Sequence, residues 1–227
     1  MTPKQTEKTY VFIPGAWHGG WAYDTVIEKF RPLGKNCIAL TLPGLEIKPE
    51  TQKKIINLDT HIQYVVDILV KENITNIILC GHSYAGLVIT GVADKIPNRI
   101  YALVYIDAYT PKDGDSCWSL TSEAYRQFFA TGASKDGFTV ADRPGVDSRR
   151  RPHPLATLIQ SLHLTGDYKR IHNRTFIYMT GWENTPFKNQ YETLKNSSDW
   201  NVIKIPCGHD IMKENPDKLV EILNEID

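Results

Sequence analysis

Six short apolar runs, separated by stretches of helical period, dominate the 227-residue chain and restrict it to one broad class of architecture. They fall at residues 10–13, 37–42, 76–80, 101–106, 175–179 and 200–205. Several are continuously apolar rather than alternating, the pattern of strands buried on both faces. Between them, Ile62, Val65, Val66, Ile68 and Leu69 form a stripe of helical spacing behind a start signal at Asp59-Thr60. Residues 87–93 begin another helix directly after the third run, and Leu219, Val220, Ile222 and Leu223 make a last stripe. Strand–helix alternation of this kind predicts an α/β fold, a mostly parallel six-stranded sheet with right-handed crossovers and helices on both faces.

The rhythm breaks once, between Asp107 and Arg174, where no strong strand occurs. This interval contains Trp118, Phe128, Phe129 and a helical pattern at 155–163. A structureless loop of such length does not fit a compact domain. Residues 109–172 are therefore expected to form a small helical cap inserted after the fourth strand, within a single domain spanning 1–227.

The charge balance narrows the partners. The chain has 26 Lys+Arg against 26 Asp+Glu, so no net field draws it to nucleic acid or to an anionic membrane. Its one basic run, Arg149-Arg150-Arg151, sits beside two prolines and has no interleaved aromatic residues, and reads as a solvated loop. No stretch approaches the roughly 18 apolar residues of a membrane span. Residues 1–8 are polar, without a signal-peptide core. Cys37, Cys80, Cys117 and Cys207 form no C-x-x-C pair, which predicts free thiols, no metal site and a cytoplasmic setting.

The chemistry centres on Gly81-His82-Ser83-Tyr84-Ala85-Gly86, which follows the third strand and opens a helix. A serine on such a turn projects its hydroxyl from the sheet edge, provided that the residues two positions away are tiny. Gly81 and Ala85 meet that condition, and Gly86 comes one residue later than in the commonest motif. Serine needs a base to become a nucleophile. His209, in the loop between the last strand and the last helix, lies at the same end of the sheet as Ser83. The developing oxyanion needs two backbone N–H groups. Tyr84, directly after the serine, supplies one, and Ala16 in the glycine-rich loop 14–21 supplies the other.

Taken together, the loop PGAWHGGW, the elbow GHSYAG, the stretch VYIDAYTPKDG and the ending GHDIM resemble the α/β-hydrolase superfamily. They are most similar to its small esterase branch, which includes plant methylesterases, hydroxynitrile lyases and bacterial carboxylesterases. The resemblance spans nearly the whole chain and implies a catalytic triad under a helical cap, no cofactor and a small-molecule ester substrate.

Two positions compete for the triad acid. Glu183 stands just after the penultimate strand, the superfamily's usual place, and Asp107 stands after the preceding strand, a less common one. The Asp-Ala-x-x-Pro pattern at Asp107 tilts the reading toward Asp107, and both remain open. The lyases of this branch carry a threonine and a lysine where this chain has Gly15 and Asp210, so lyase chemistry is a lesser alternative for want of a cation there. A slow or non-hydrolysing ligand receptor and a cofactor-independent oxygenase are the others. His18 resembles a supporting residue of the loop, and Trp17, Tyr84, Trp118, Phe128 and Phe129 are candidates for an apolar pocket wall.

Overall fold

The fold is described from a computed structural model covering residues 7–47, 55–183 and 185–226. Most of the polar N-terminal stretch therefore lies outside the described residues. In chain order the elements are β1 (Thr9–Ile13), α1 (Asp24–Phe30), β2 (Asn36–Ala39), α2 (Leu58–Lys71), β3 (Ile77–His82), α3 (Ala85–Lys95) and β4 (Ile100–Ile106). Next come α4 (Cys117–Leu120), α5 (Glu123–Thr131), β5 (Thr139–Val140), β6 (His153–Pro154) and α6 (Leu155–Ile159). The chain closes with β7 (Arg174–Met179), α7 (Lys188–Leu194), β8 (Asn201–Ile205), α8 (Ile211–Glu214) and α9 (Pro216–Ile226).

Six strands form one sheet in the order β2-β1-β3-β4-β7-β8, and every pairing in it is parallel. Strand alternation divides the apolar runs between two faces. Tyr10, Phe12, Ile78, Cys80, Val104 and Ile177 pack with α1 and α9, while Val11, Leu79, Leu103, Tyr105 and Phe176 pack with α2 and α3. Both faces are thus covered, which is why these runs carry no polar alternation. Cys80, Cys117 and Cys207 are buried free thiols, and Cys37 is a half-buried one.

Several element boundaries differ from the sequence reading for local reasons. The second strand ends at Ala39, and Leu42 and Leu45 instead turn inward to fill the core. The third continues through Gly81 and His82, which pair with Tyr105 and Ile106 of β4. The helix that opens after it starts at Ala85, immediately behind the elbow. Asn57 caps α2, its side chain accepting from Thr60 N–H while the Thr60 hydroxyl serves the Asn57 N–H. The helical pattern at 155–163 yields only the five residues of α6, because Gln160 turns extended and Leu162 N–H bonds to Asp115 O at 2.7 Å.

Between β4 and β7 lie α4, α5, the two-residue antiparallel pair β5–β6, α6 and a 3-10 turn at Asp167–Arg170. A parallel sheet brings the C-terminal ends of its strands to one edge. The loops following β1, β3, β4, β7 and β8 all open there, and the segment 109–172 contributes residues to the same cavity. No described helix is long and apolar enough to cross a membrane.

Candidate active site

Ser83 stands at the turn between β3 and α3 with φ of 55°, a left-handed conformation strained for any residue with a Cβ. The strain is held by its neighbours. Ser83 N–H donates to Ile106 O at 3.2 Å, and Ser83 O accepts from Gly86 N–H at 3.1 Å and Tyr109 N–H at 3.2 Å. A Cβ on Gly86 would lie 1.9 Å from Tyr109 O, so the glycine one residue past the usual place lets the chain after β4 cross the start of α3. A Cβ on Gly15 would lie 2.8 Å from His82 Nδ1 and 3.0 Å from Ser83 Cβ, which explains why loop 14–19 approaches the elbow through glycine.

Two further residues at this edge share the strain: Trp17 with φ of 66° and Asp107 with φ of 42°. Backbone strain in described non-glycine residues otherwise occurs only at Asn73 and Asn76, both in the link between α2 and β3. Its concentration around one cavity marks a constrained site.

Asp107 is completely buried, and its carboxylate accepts three hydrogen bonds. Oδ1 accepts from Met179 N–H at 3.1 Å, and Oδ2 accepts from Trp182 Nε1–H at 3.0 Å and from His209 Nδ1 at 2.7 Å. Because a carboxylate only accepts, Nδ1 of His209 carries a proton, and in the neutral tautomer Nε2 is the nitrogen with the lone pair. The His209 ring packs against Trp182 (4.6 Å between centroids), Phe187 (5.6 Å) and His82 (4.3 Å). His82 Nε2 donates to the His209 carbonyl at 3.0 Å. Burial, reinforced by the nearby His209, pushes His82 well below the usual imidazole range and so favours this neutral partner. Glu183 is exposed, one residue beyond the tryptophan that touches Asp107.

Ser83 and His209 open onto one cavity of about 240 Å³. Ala16, Trp17, His18, Tyr84 and Phe128 line it, and so does Phe129. Trp118 does not. It is partly buried, its carbonyl accepts from Arg126 Nε at 2.8 Å, and the preceding Cys117 faces the cavity instead. Burial pushes the Cys117 thiol up to about 12, so it is no rival nucleophile.

The basic run also needs correction. Arg150 lines the cavity, bonding Asp142 at 2.8 Å and Asp210 at 2.9 Å, with its side chain only 18% exposed. The sequence reading found no cation at the position beside His209; the fold brings one to Asp210 from a distant loop, already neutralised by two carboxylates.

Sequence reasoning missed Trp182, Phe187 and Arg150. The first two lie in the loop already considered for the acid, and an aromatic pair behind the penultimate strand was the available signal. Nothing local to Arg150 pointed to Asp210.

Comparison with known proteins decides the family. A model described as "Alpha/beta hydrolase family" matches residues 10–222. The chain belongs to that family. A carbendazim hydrolyzing esterase from Nocardioides sp. (strain SG-4G) is 35% identical, with 94% of this chain and 97% of the esterase aligned. Methylesterase 2 of Arabidopsis thaliana is 29% identical over 49% of this chain and 43% of its own length. Among solved structures, an extracellular alpha/beta-hydrolase from a Paenibacillus species superposes with a TM-score of 0.81 at 20% identity, covering 96% of this chain and 98% of that one. A pyrethroid hydrolase from Sphingobium faniae JZ-2 superposes with a TM-score of 0.78 at 20% identity, covering 96% of each chain. The structural likeness establishes the shared fold.

Proposed function

We propose that this α/β-hydrolase cleaves small, largely apolar carboxylic esters through a serine acyl-enzyme. The broader statement, that the chain is a carboxylic ester hydrolase, rests on its family and on the esterase 35% identical across nearly its whole length. The reading of mechanism is carried by the 2.7 Å contact between Asp107 and His209 on the cavity that also exposes strained Ser83.

In this reading Ser83 Oγ attacks the ester carbonyl while His209 Nε2 takes its proton. Asp107 fixes the His209 tautomer and stabilises the imidazolium without itself becoming protonated. The tetrahedral oxyanion is met by the N–H groups of Ala16 and Tyr84. His209 then protonates the departing alcohol, the carbonyl re-forms, and Ser83 is left acylated. Water enters, gives its proton to His209, and releases the acid by the same path in reverse. No step requires a cofactor or a metal.

The cavity walls support the apolar preference: Trp17, Tyr125, Phe128 and Phe129 form one side of it. In this account the segment 109–172 serves as a cap, because Tyr125, Phe128 and Arg150 come from it. The unpaired thiols support a reducing, cytoplasmic setting.

The test is steady-state hydrolysis of p-nitrophenyl acetate and butyrate, with carbendazim as a third substrate, by wild type and Ser83→Ala. Sustained turnover that disappears in the variant is the expected result. Turnover retained by the folded variant overturns the serine mechanism. A single turnover with tight retention of ligand points to a receptor instead.

A further inference from the structure

His153, in the segment 109–172, has a specific place in the structure. It is completely buried, in the short strand β6. Its ring lies 4.7 Å from Tyr84 at 73°, edge to face, and 5.9 Å from Trp17. It thus touches the residue of one proposed oxyanion donor and the residue after the other.

Its hydrogen bonds fix its protonation. The Thr157 hydroxyl donates its only hydrogen to Pro154 O at 2.7 Å, since a carbonyl can only accept. The same hydroxyl lies 2.8 Å from His153 Nε2, so Nε2 carries the proton and donates to it. The other nitrogen, Nδ1, is left with its lone pair and accepts from Trp17 N–H at 3.3 Å. Burial, with His61 and His18 nearby, also pushes this imidazole well below its ordinary range.

The peptide it grips is unusual. Residues 15–18 form a tight turn closed by His18 N–H to Gly15 O at 3.3 Å, with Trp17 at the position where positive φ usually requires glycine. The central Ala16–Trp17 peptide is held at both ends. Ala16 O accepts from His18 Nδ1 at 2.9 Å, and Trp17 N–H donates to His153 Nδ1. Two further bonds tie Trp17 to the inserted segment: Arg151 N–H to Trp17 O at 3.0 Å and Trp17 Nε1–H to Val140 O at 2.9 Å. A peptide flip would turn Ala16 O toward a ring nitrogen that can only accept.

We propose that His153, as the neutral Nε2–H tautomer held by Thr157, is a positioning residue: by locking the Ala16–Trp17 peptide it fixes the 15–18 turn, and with it the preceding Gly15–Ala16 peptide that carries the oxyanion-binding N–H of Ala16. This inference rests on the proposed acyl-enzyme reading, in which Ala16 is a donor. It makes the inserted segment part of the transition-state machinery as well as the pocket wall.

The decisive set is His153→Phe, which keeps a ring but no acceptor, against His153→Asn, which returns an acceptor near the Nδ1 position. The readouts are kcat and KM for p-nitrophenyl butyrate and affinity for an alkyl trifluoromethyl ketone, whose serine adduct places an oxyanion in the same pocket. Removing one oxyanion donor costs about 10²–10³-fold in rate, and misaiming one costs less. For His153→Phe we expect kcat to fall about tenfold to a hundredfold, KM to change little, and ketone affinity to fall in parallel; His153→Asn recovers most of both. Wild-type kcat in folded His153→Phe overturns the proposal, as do equal kcat losses in both variants with ketone affinity intact. If His153→Phe does not fold, Thr157→Val against Thr157→Ser asks the same question through the tautomer, with loss expected in the first and rescue in the second. Equal rates in those two variants overturn it. Activity surviving in Ser83→Ala marks failure of the underlying mechanism; a dead Ser83→Ala beside a fully active His153→Phe marks failure of this proposal alone.

Discussion

At the scale of single residues, the candidate site is a set of groups whose protonation follows from what they touch. His209 offers a free Nε2 because its Nδ1 faces Asp107 at 2.7 Å. Asp107→Asn can present an amide donor there and reverse the tautomer, so we expect kcat to fall about 10³–10⁴-fold with KM nearly unchanged. Glu183→Gln should leave kcat unaltered, as its carboxylate is exposed and Asp107 occupies His209 Nδ1. Steady-state kinetics of the two variants compare the competing acids directly. Trp182→Phe keeps a ring against His209 but removes the donor to Asp107. A hydrogen bond to a charged group is worth about 1.5–3 kcal/mol, so kcat should drop about tenfold or somewhat more. Ser83, Tyr84 and Ala16 could be singled out from sequence because the chemistry they suggest depends on adjacent residues: two tiny neighbours, a strand before and a helix after. The choice between Asp107 and Glu183 could not, because it depends on which of two loops reaches His209 across the sheet edge. The same holds for Arg150, whose partner Asp210 is far away in sequence.

At the scale of elements, the crossing of the β4 exit over the start of α3 is the tightest demand. A methyl on Gly86 would penetrate Tyr109 O, so Gly86→Ala must push the two segments apart. Overpacking of this kind costs about 1–3 kcal/mol, and at this chain length each kcal/mol lowers Tm by about 2–4 °C. Thermal unfolding should therefore show a drop of several degrees, with kcat also reduced because Ser83 O is bonded by both segments through Gly86 N–H and Tyr109 N–H. The central strands were legible because they are buried on both faces and so read as unbroken apolar runs. The segment 109–172 was less so. Its helices α4 and α6 are only four and five residues long and offer little periodicity. They are held by particular contacts, such as the reciprocal Ser116–Ser119 cap and Arg126 reaching the Trp118 and Ser119 carbonyls.

At the scale of the whole molecule, neutral buried histidines link stability to pH. Burial holds His61 at about 4 instead of 6.5, and its ring nitrogens serve Tyr84 and Pro43 O at 3.0 Å each. His18, His82 and His153 are displaced in the same direction, again chiefly by burial. Between pH 6.5 and 4 the unfolded chain binds more protons than the folded one at these positions, so stability is full above 6.5 and declines as pH falls toward 4. His61 alone contributes about 3 kcal/mol to that loss. Urea denaturation at pH 7.5 and pH 5 should give a lower midpoint at pH 5, and His61→Gln should flatten the difference. Equal midpoints in wild type would show that these rings are not held neutral. None of this was visible in composition: balanced charge describes the surface, whereas the pH response comes from histidines that folding collects behind one cavity.

The central claim is that Ser83 is activated by His209 and Asp107. It is tested most directly by labelling with a fluorophosphonate probe, followed by peptide mass spectrometry of wild type, Asp107→Asn and Glu183→Gln. We expect a single adduct on Ser83, formed as fast in Glu183→Gln as in wild type and far more slowly in Asp107→Asn. An adduct on another residue, no adduct in the folded wild type, or slow labelling confined to Glu183→Gln would contradict it.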